Sequence, residues 1–273
     1  MAVPDQGLVS IVVPCRNSGA TLIETLSSAR AQTWPDVEVI VVDDGSTDRA
    51  TLAILDQLPA DVRLLREEHS GASGARNRGI RAARGEFVLP LDADDLIEPD
   101  YLIRAVAVMR ERPEVGIVYC HADRFGAVDG PWRLPDWSLD AMLVDNIVFV
   151  TALFRRSDWE SVGGFNEAMR RGAEDWDFWL RLISLGREVV QLDETFFHYR
   201  VEHVDKGTFV PEELAGIYAQ VFRNNQDLFL QHLDVLFEHR FSLERRLRES
   251  RSRSVRERLG LLRRRIATAR GSN

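Results

Sequence analysis

Three runs of branched aliphatic residues constrain this chain more than any other feature. VSIVVPC (9–15), VEVIVVDD (37–44) and EFVLPLD (86–92) are apolar at nearly every position, and two of them run straight into carboxylates. A strand with one face in water alternates apolar and polar residues, so near-continuous Val, Ile and Leu implies burial on both faces and a largely parallel sheet covered by helices. Further β-rich runs, VRLLREE (62–68), VGIVYC (115–120) and EVVQLDE (188–194), alternate with helix-length stretches over 19–32, 48–58, 72–83, 99–111 and 174–185. Pro99 at the start of the fourth of these and Pro113 just past its end mark its bounds. The alternation predicts an α/β fold whose ligands gather at the carboxyl ends of the strands.

The 273 residues suffice for one large domain, or one with an appendage. Charge separates the two. Residues 235–273 carry twelve Arg, no Lys and four Glu, a net +8, whereas the whole chain is −8, which leaves −16 on the first 234 residues. A boundary is expected near GTFVPEEL (207–214), dividing a domain over 1–206 from a helical, Arg-rich extension over 207–273. An acidic body excludes bulk nucleic-acid binding, which needs a basic face to neutralise phosphates. Cys15 and Cys120 form no metal-ligand spacing, so free thiols in a reducing compartment are expected. No apolar run approaches the ~20 residues of a membrane span, and MAVPDQG lacks the charged and apolar regions of a signal peptide, so the expected location is cytoplasmic.

Acids at strand ends need an explanation. Asp92 and Asp94 stand two apart where a strand runs out, so both carboxylates can face one side, and together they suit a hard divalent cation, Mn²⁺ or Mg²⁺. The plainer alternative is a solvated helix start capped by Asp94 or Asp95. Asp43 and Asp44 close another strand before Gly45 and Ser46, where carboxylates can accept hydrogen bonds from a ribose or a base, or simply form a βα turn. Asp48 reads as the cap of the next helix. In GAEDWDFWLRLISLG, Trp176, Trp179, Leu180 and Ile183 recur at i, i+3, i+4, i+7, which marks a core face and puts Glu174 and Asp175 in the first turn. There they either complement the helix dipole or act on a ligand.

Taken in order, VSIVVPCRNSGATLIETLSSARAQTW, VEVIVVDDGSTD, GASGARNRGIRAARGEFVLPLDADD, FRRSDWESVGGFNEAMRRGAEDWDFWLRL and HYRVEH resemble the family 2 glycosyltransferases over roughly residues 8–205. The resemblance implies the GT-A fold, with a nucleotide-sugar half over about 1–95 and an acceptor half over about 96–206. It implies transfer from a nucleotide diphosphate sugar, with a lean to UDP, to a glycan or lipid-linked acceptor. It further implies that Pro14, Asn17, Asp43, Asp44 and Arg76 line the nucleotide, that Asp92 leans toward ribose and phosphate, and that Asp94 is the principal metal ligand. Asp175 would be the base and Glu174 its neighbour, orienting acceptor or structure. A histidine after the last strand often completes the metal site, and of His198 and His203 the latter follows the YR as the family's does, while His198, between Phe197 and Tyr199, reads as packed. Inversion follows, because no covalent sugar intermediate is required.

On the acceptor side, Phe165 after Gly163 and Gly164 offers a platform for a sugar ring, and Trp132 and Trp137 either stack on carbohydrate or pack. Leu243, Leu247, Val255, Leu259, Leu262 and Ile266 fall at helical spacings among arginines, which suits an anionic membrane surface, a second subunit or a solvated arm. Two rivals to the transferase reading remain at this point. A nucleotidyltransferase would bring a Gly-rich phosphate loop where VPCRNSG offers only Arg16, and a non-catalytic nucleotide-sugar-binding module would have no need of Asp175.

Overall fold

The computed structural model describes residues 5–202 and 211–249. The apolar runs become β1 (Asp5–Cys15), β2 (Val37–Asp44), β3 (Val62–Glu67) and β4 (Gly85–Pro90), all parallel, in the order β3-β2-β1-β4. Val9, Ile11, Val12 and Val13 of β1 are fully buried, as burial on both faces requires. Helices α1 (Gly19–Arg30), α2 (Arg49–Leu55) and α3 (Ala72–Ala82) connect them. Asp48 caps α2 as expected, its carboxylate accepting the Thr51 N–H at 2.8 Å. Glycine at 79 lets α3 lie directly on the sheet, since a Cβ there would come within 2.4 Å of Val12.

The sheet then turns mixed. Beyond β4 it continues through β8 (Leu153–Arg155), β6 (Val115–Gly126), β9 (Glu188–Val201) and β5 (Leu96–Ile97), with β7 (Gly130–Trp132) on β6. Strands β6 and β9 are parallel, whereas β8 runs antiparallel to both β4 and β6, and β5 to β9. Both β6 and β9 outrun their apolar segments, because HADRFG and FFHYRV pair with each other from Ala122↔Phe197 to Gly126↔Val201. Helix α4 (Tyr101–Glu111) starts two residues after Pro99, and α5 (Leu139–Val144) and α6 (Arg156–Ser161) are short.

Helix α7 (Glu174–Ser184) is buried more widely than a single stripe, with Trp176, Phe178, Trp179, Leu180 and Leu182 in the core and Ile183 only partly covered. Phe165 stacks on Phe178 at 4.2 Å and is 2% exposed, so the expected sugar platform is instead core. From residue 211 on, the expected extension still packs on the body. Helix α8 (Pro211–Asn224) places Tyr218 against Trp176 at 4.8 Å, and Asn224 and Asn225 donate to the buried Asp177 at 2.8 and 3.1 Å. The first compact unit accordingly runs to Leu228, and the second begins at Phe229. Short α9 (Gln226–Gln231) is followed by a helix over 233–249, on which Phe237, Phe241, Leu243 and Leu247 are exposed; Val255, Leu259, Leu262 and Ile266 lie outside the described residues. Among the described residues no helix is long and apolar enough to cross a membrane.

Candidate active site

The loops at the carboxyl ends of β1, β2 and β4 converge with the first turn of α7. After β1, Asn17 takes a left-handed backbone (φ 55°), and its side-chain oxygen accepts the N–H groups of Thr47 and Asp48 at 2.8 and 2.9 Å, tying the first βα loop to the second. Pro14 lies one residue from the end of β1, partly exposed. Asp43 accepts the Ser46 N–H at 2.9 Å and closes the turn after β2. Asp44 is 4% exposed and accepts from His69 Nδ1 at 2.7 Å, from the Ser70 N–H and hydroxyl at 2.6 and 3.0 Å, and from the Gly71 N–H at 3.0 Å. Burial opposes its charge, but these donors outweigh it and hold the carboxyl below its ordinary range. Asp44 thus anchors the loop that leads into α3, with Gly71 at φ +85° before the first turn.

The acids after β4 are not on the strand. β4 ends at Pro90, and Asp92 to Asp95 form a turn closed by the Asp95 N–H on the Asp92 carbonyl at 3.1 Å. Neither Asp94 nor Asp95 caps a helix: the residue before α4 is Asp100, and Asp95, 2% exposed, accepts the Arg200 N–H at 2.8 Å. Arg200 Nε donates to the Asp94 carbonyl at 2.7 Å, so β9 holds the acidic turn by its backbone. Burial and the charge of Asp92 raise the Asp94 carboxyl to about 6; burial, Asp92 and Asp94 raise Asp95 well above its ordinary value.

Arg76 joins the two halves of the site. From the first turns of α3 it donates to Asp92 Oδ1 and to Glu174 Oε1, both at 2.7 Å, while only 3% of it is exposed. Burial opposes its charge, and the two carboxylates outweigh that, so its pKa is raised. Asn77 beside it braces the loop before α7, donating to the Phe165 carbonyl and to Glu167 and accepting from the Phe165 N–H and Trp159 Nε1. That packing needs Gly164 at φ +82°, since a Cβ would lie 2.6 Å from Asn77 Oδ1.

Helix α7 begins without a capping side chain, from Ala173 in a left-handed conformation at φ 60°. Among the described residues Asn17 and Ala173 are the non-glycines with positive φ, and both stand at this site. Asp175 accepts the Trp176 N–H at 2.8 Å and a hydrogen bond from Asn146, but burial and the charge of Glu174 push its carboxyl up to about 7. A carboxyl with that value is poised for proton transfer near neutrality.

Two cavities meet at Glu174. One, of about 380 Å³, lies between the start of α3 (His69, Ser70, Ser73) and the 167–172 loop (Glu167, Arg170). The other, of about 180 Å³, is lined by Arg76, Asp92, Asp95 and Asp175 together with Trp132, Phe149 and Tyr199. Arg200, His69, Asn146 and Tyr199 join the site beyond the residues expected from the sequence; Arg200 and Tyr199 fall within HYRVEH, whereas His69 and Asn146 stand in no local pattern.

The fit of a divalent cation rests on the donor set. Asp92 bonds Arg76 through Oδ1, which leaves Oδ2, and the Asp94 carboxylate, within reach of the charges of Asp92 and Arg200, is the second candidate; two carboxylates match the one or two hard oxygen ligands that Mg²⁺ or Mn²⁺ takes beside substrate phosphates. Among the described residues no group of three or more candidate ligands forms. His203 lies outside the described residues. His198 is not merely packed, being held between Asp123 at 2.6 Å and Glu98 at 2.9 Å.

Compared with known proteins, residues 10–174 match the model described as glycosyl transferase family 2, and residues 147–204 match one described as the N-terminal domain of galactosyltransferase. A chondroitin synthase of Escherichia coli is 32% identical over 66% of this chain and 27% of its own length. The succinoglycan biosynthesis protein ExoO of Rhizobium meliloti is 32% identical over 80% of this chain and 70% of its own. Among solved structures, residues 1–349 of Staphylococcus aureus TarS in complex with UDP are 25% identical, with a TM-score of 0.64, over 80% of this chain and 65% of that one. The chain spans 27% or less of the length of the first curated relatives it matches.

Proposed function

The chain belongs to glycosyl transferase family 2, and from that premise we propose that it moves a sugar from a nucleoside diphosphate donor, UDP by preference, to a hydroxyl of a glycan or lipid-linked acceptor, with inversion. The observation that carries the reading is the Asp92–Arg76–Glu174 bridge, which brings a guanidinium and, in Asp175 beside Glu174, a carboxyl of raised pKa to one cavity, and this supports a site for a diphosphate next to a base. The UDP-bound TarS structure supports a uridine donor.

In this reading the nucleotide lies along the carboxyl ends of β1 and β2, by Pro14, Asn17, Asp43 and Asp44, toward the start of α3. Asp44 reaches the base if it exchanges one of its loop donors for it. Arg76, which lines the cavity, stabilises charge on the leaving diphosphate. Asp94 and Asp92 would hold Mn²⁺ or Mg²⁺, which supplies charge neutralisation at the leaving group. Asp175 takes the proton of the attacking hydroxyl as the new bond forms. Glu174, fixed by Arg76, keeps Asp175 reluctant to ionise until a substrate hydroxyl hydrogen-bonds to it.

The catalytic domain is proposed to span 1–206, and α8, the first part of the extension, packs on it within the same compact unit. The Arg-rich segment over 235–273 is proposed to rest on an anionic membrane face from the cytoplasmic side; its net +8 and exposed Phe237 and Phe241 support this. The donor test is thermal stabilisation by UDP, GDP and dTDP, each with and without Mn²⁺, in wild type and Asp94→Ala, followed by nucleotide release from the matching sugar donor. A metal-dependent shift with one nucleotide, lost in the variant, is expected. Stabilisation that ignores both metal and Asp94 would sink the metal assignment, and failure of every nucleotide to bind or be released would sink the transferase reading.

A further inference from the structure

The smaller cavity has a wall that the proton-transfer and donor chemistry do not use. Trp132, from the short strand β7, lies with its ring centroid 4.9 Å from Tyr199 of β9 and 6.2 Å from Phe149, and Phe149 is in turn 4.4 Å from Phe197. Phe149 and Phe197 are buried, but Trp132 is only partly covered and Tyr199 is 40% exposed, so the outer pair presents aromatic surface to a ligand. Asp175, Arg76 and Asp92 line the same cavity.

That lining is amphipathic in the manner of a pyranose. One face of a sugar ring carries outward C–H bonds and lies well on an aromatic plane, while its rim of hydroxyls needs donors and acceptors, which the carboxylates and Asn146 provide. At about 180 Å³ the cavity is smaller than the roughly 300–1,000 Å³ of sites that enclose a drug-sized ligand, which suits one ring rather than an extended chain. The wall is contributed by the stretch after residue 130, whereas the strand ends proposed for the nucleotide lie before residue 95. Arg76 and Asp92 line the same cavity, but so does Asp175, the group proposed above to take the attacking hydroxyl's proton, and a ring lying on this wall shares the cavity with that base, as an acceptor must.

We propose that Trp132 and Tyr199 form an acceptor subsite on which the ring of an acceptor pyranose stacks, presenting one hydroxyl to Asp175. This rests on the transferase reading above and narrows the acceptor to a carbohydrate whose terminal ring is accessible. No new bond chemistry is involved: the hydroxyl oxygen attacks the anomeric carbon, its proton goes to Asp175, and the nucleotide diphosphate leaves with the bonding pair.

The test uses the full-length chain, UDP-N-acetylglucosamine or whichever donor the nucleotide screen selects, and methyl pyranosides as acceptor probes against glycerol at matched hydroxyl concentration. Wild type should release nucleotide slowly to water and faster, with saturation, to at least one methyl pyranoside. Trp132→Ala should raise the acceptor KM roughly tenfold, the size expected for a lost aromatic face, while the donor KM and the rate of hydrolysis by water stay within about twofold. Trp132→Phe should recover most of the loss. Saturation-transfer NMR with nucleotide bound should show the pyranoside C–H protons receiving magnetisation in wild type and losing it in Trp132→Ala. An unchanged nucleotide-induced thermal shift checks that the variant is folded. Pyranosides that do no better than glycerol while hydrolysis proceeds would overturn the subsite and leave the transferase reading standing. A donor KM raised by Trp132→Ala would assign the wall to the donor sugar and overturn the inference. Absence of nucleotide release even to water would remove the reading on which it rests.

Discussion

Replacing Asp175 with Asn should make the protein inactive and, at neutral and alkaline pH, more stable. The carboxyl sits at about 7 rather than 3.8 because it is buried and because Glu174 lies beside it, with Arg76 only partly offsetting that charge. A carboxyl raised by folding favours the folded state fully below the unfolded value near 3.8. Its contribution falls as pH rises toward the folded value and is constant above about 7. At pH 8 the linkage cost amounts to about 4 kcal/mol. Solvent reaches part of the group, and Glu174 can relax once Asp175 is neutral, so roughly half of this, ~2 kcal/mol, should be recovered by the amide. For a body of this size that is a rise in Tm of about 4–8 °C. The Asn oxygen can still accept the Trp176 N–H, so the helix start is preserved. Thermal unfolding of both proteins between pH 4.5 and 8, alongside nucleotide release, makes the comparison. The difference should be small at pH 4.5, grow to pH 7 and then level off, with activity down at least a hundredfold. A variant no more stable than wild type at pH 8, or a gain independent of pH, would refute the argument that an ionised Asp175 is held against its environment.

Arg76→Ala should destabilise by about 3–5 kcal/mol, because it leaves Asp92 and Glu174 without their shared cation, and Arg76→Lys should restore it only in part, since a compact, strongly hydrated ammonium lacks the planar fork that aims one nitrogen at each carboxylate; denaturant midpoints decide this. Asn77→Ala removes four hydrogen bonds from the loop before α7 and should cost about 2–4 kcal/mol while leaving nucleotide-induced stabilisation intact, so a lost thermal shift with an unchanged midpoint would contradict the bracing role. Deleting residues 240–273 should release the protein from anionic vesicles in sedimentation assays. Binding that survives the deletion, or a dimer in wild type that the deletion dissolves without any vesicle binding, would assign the tail otherwise.

The first four parallel strands, their helices and the acids at their ends were legible in the sequence, because burial on both faces writes an unbroken apolar run and a helix writes its own period. Asp48 as a cap and Glu174 and Asp175 in a first turn are likewise local facts. Strands β5, β7 and β8 were not legible, for two or three residues are too few to show an alternation and are strands only because a neighbour pairs with them. The polar ends of β6 and β9 are invisible for the same reason. Phe165 looked available beside two glycines, and only packing against Phe178 buried it.

Sequence therefore determined which residue types stand at the strand ends and, through the ordered motifs, the family. Tertiary structure decided which of them touch. Arg76 and Glu174 are 98 residues apart, and Trp132 meets Tyr199 across two strands. A carboxyl near 7, a buried guanidinium between two acids and aromatic rings lining the same cavity are properties of charges and surfaces brought close in a low-dielectric interior. No stretch of chain contains that proximity until the sheet has closed around it.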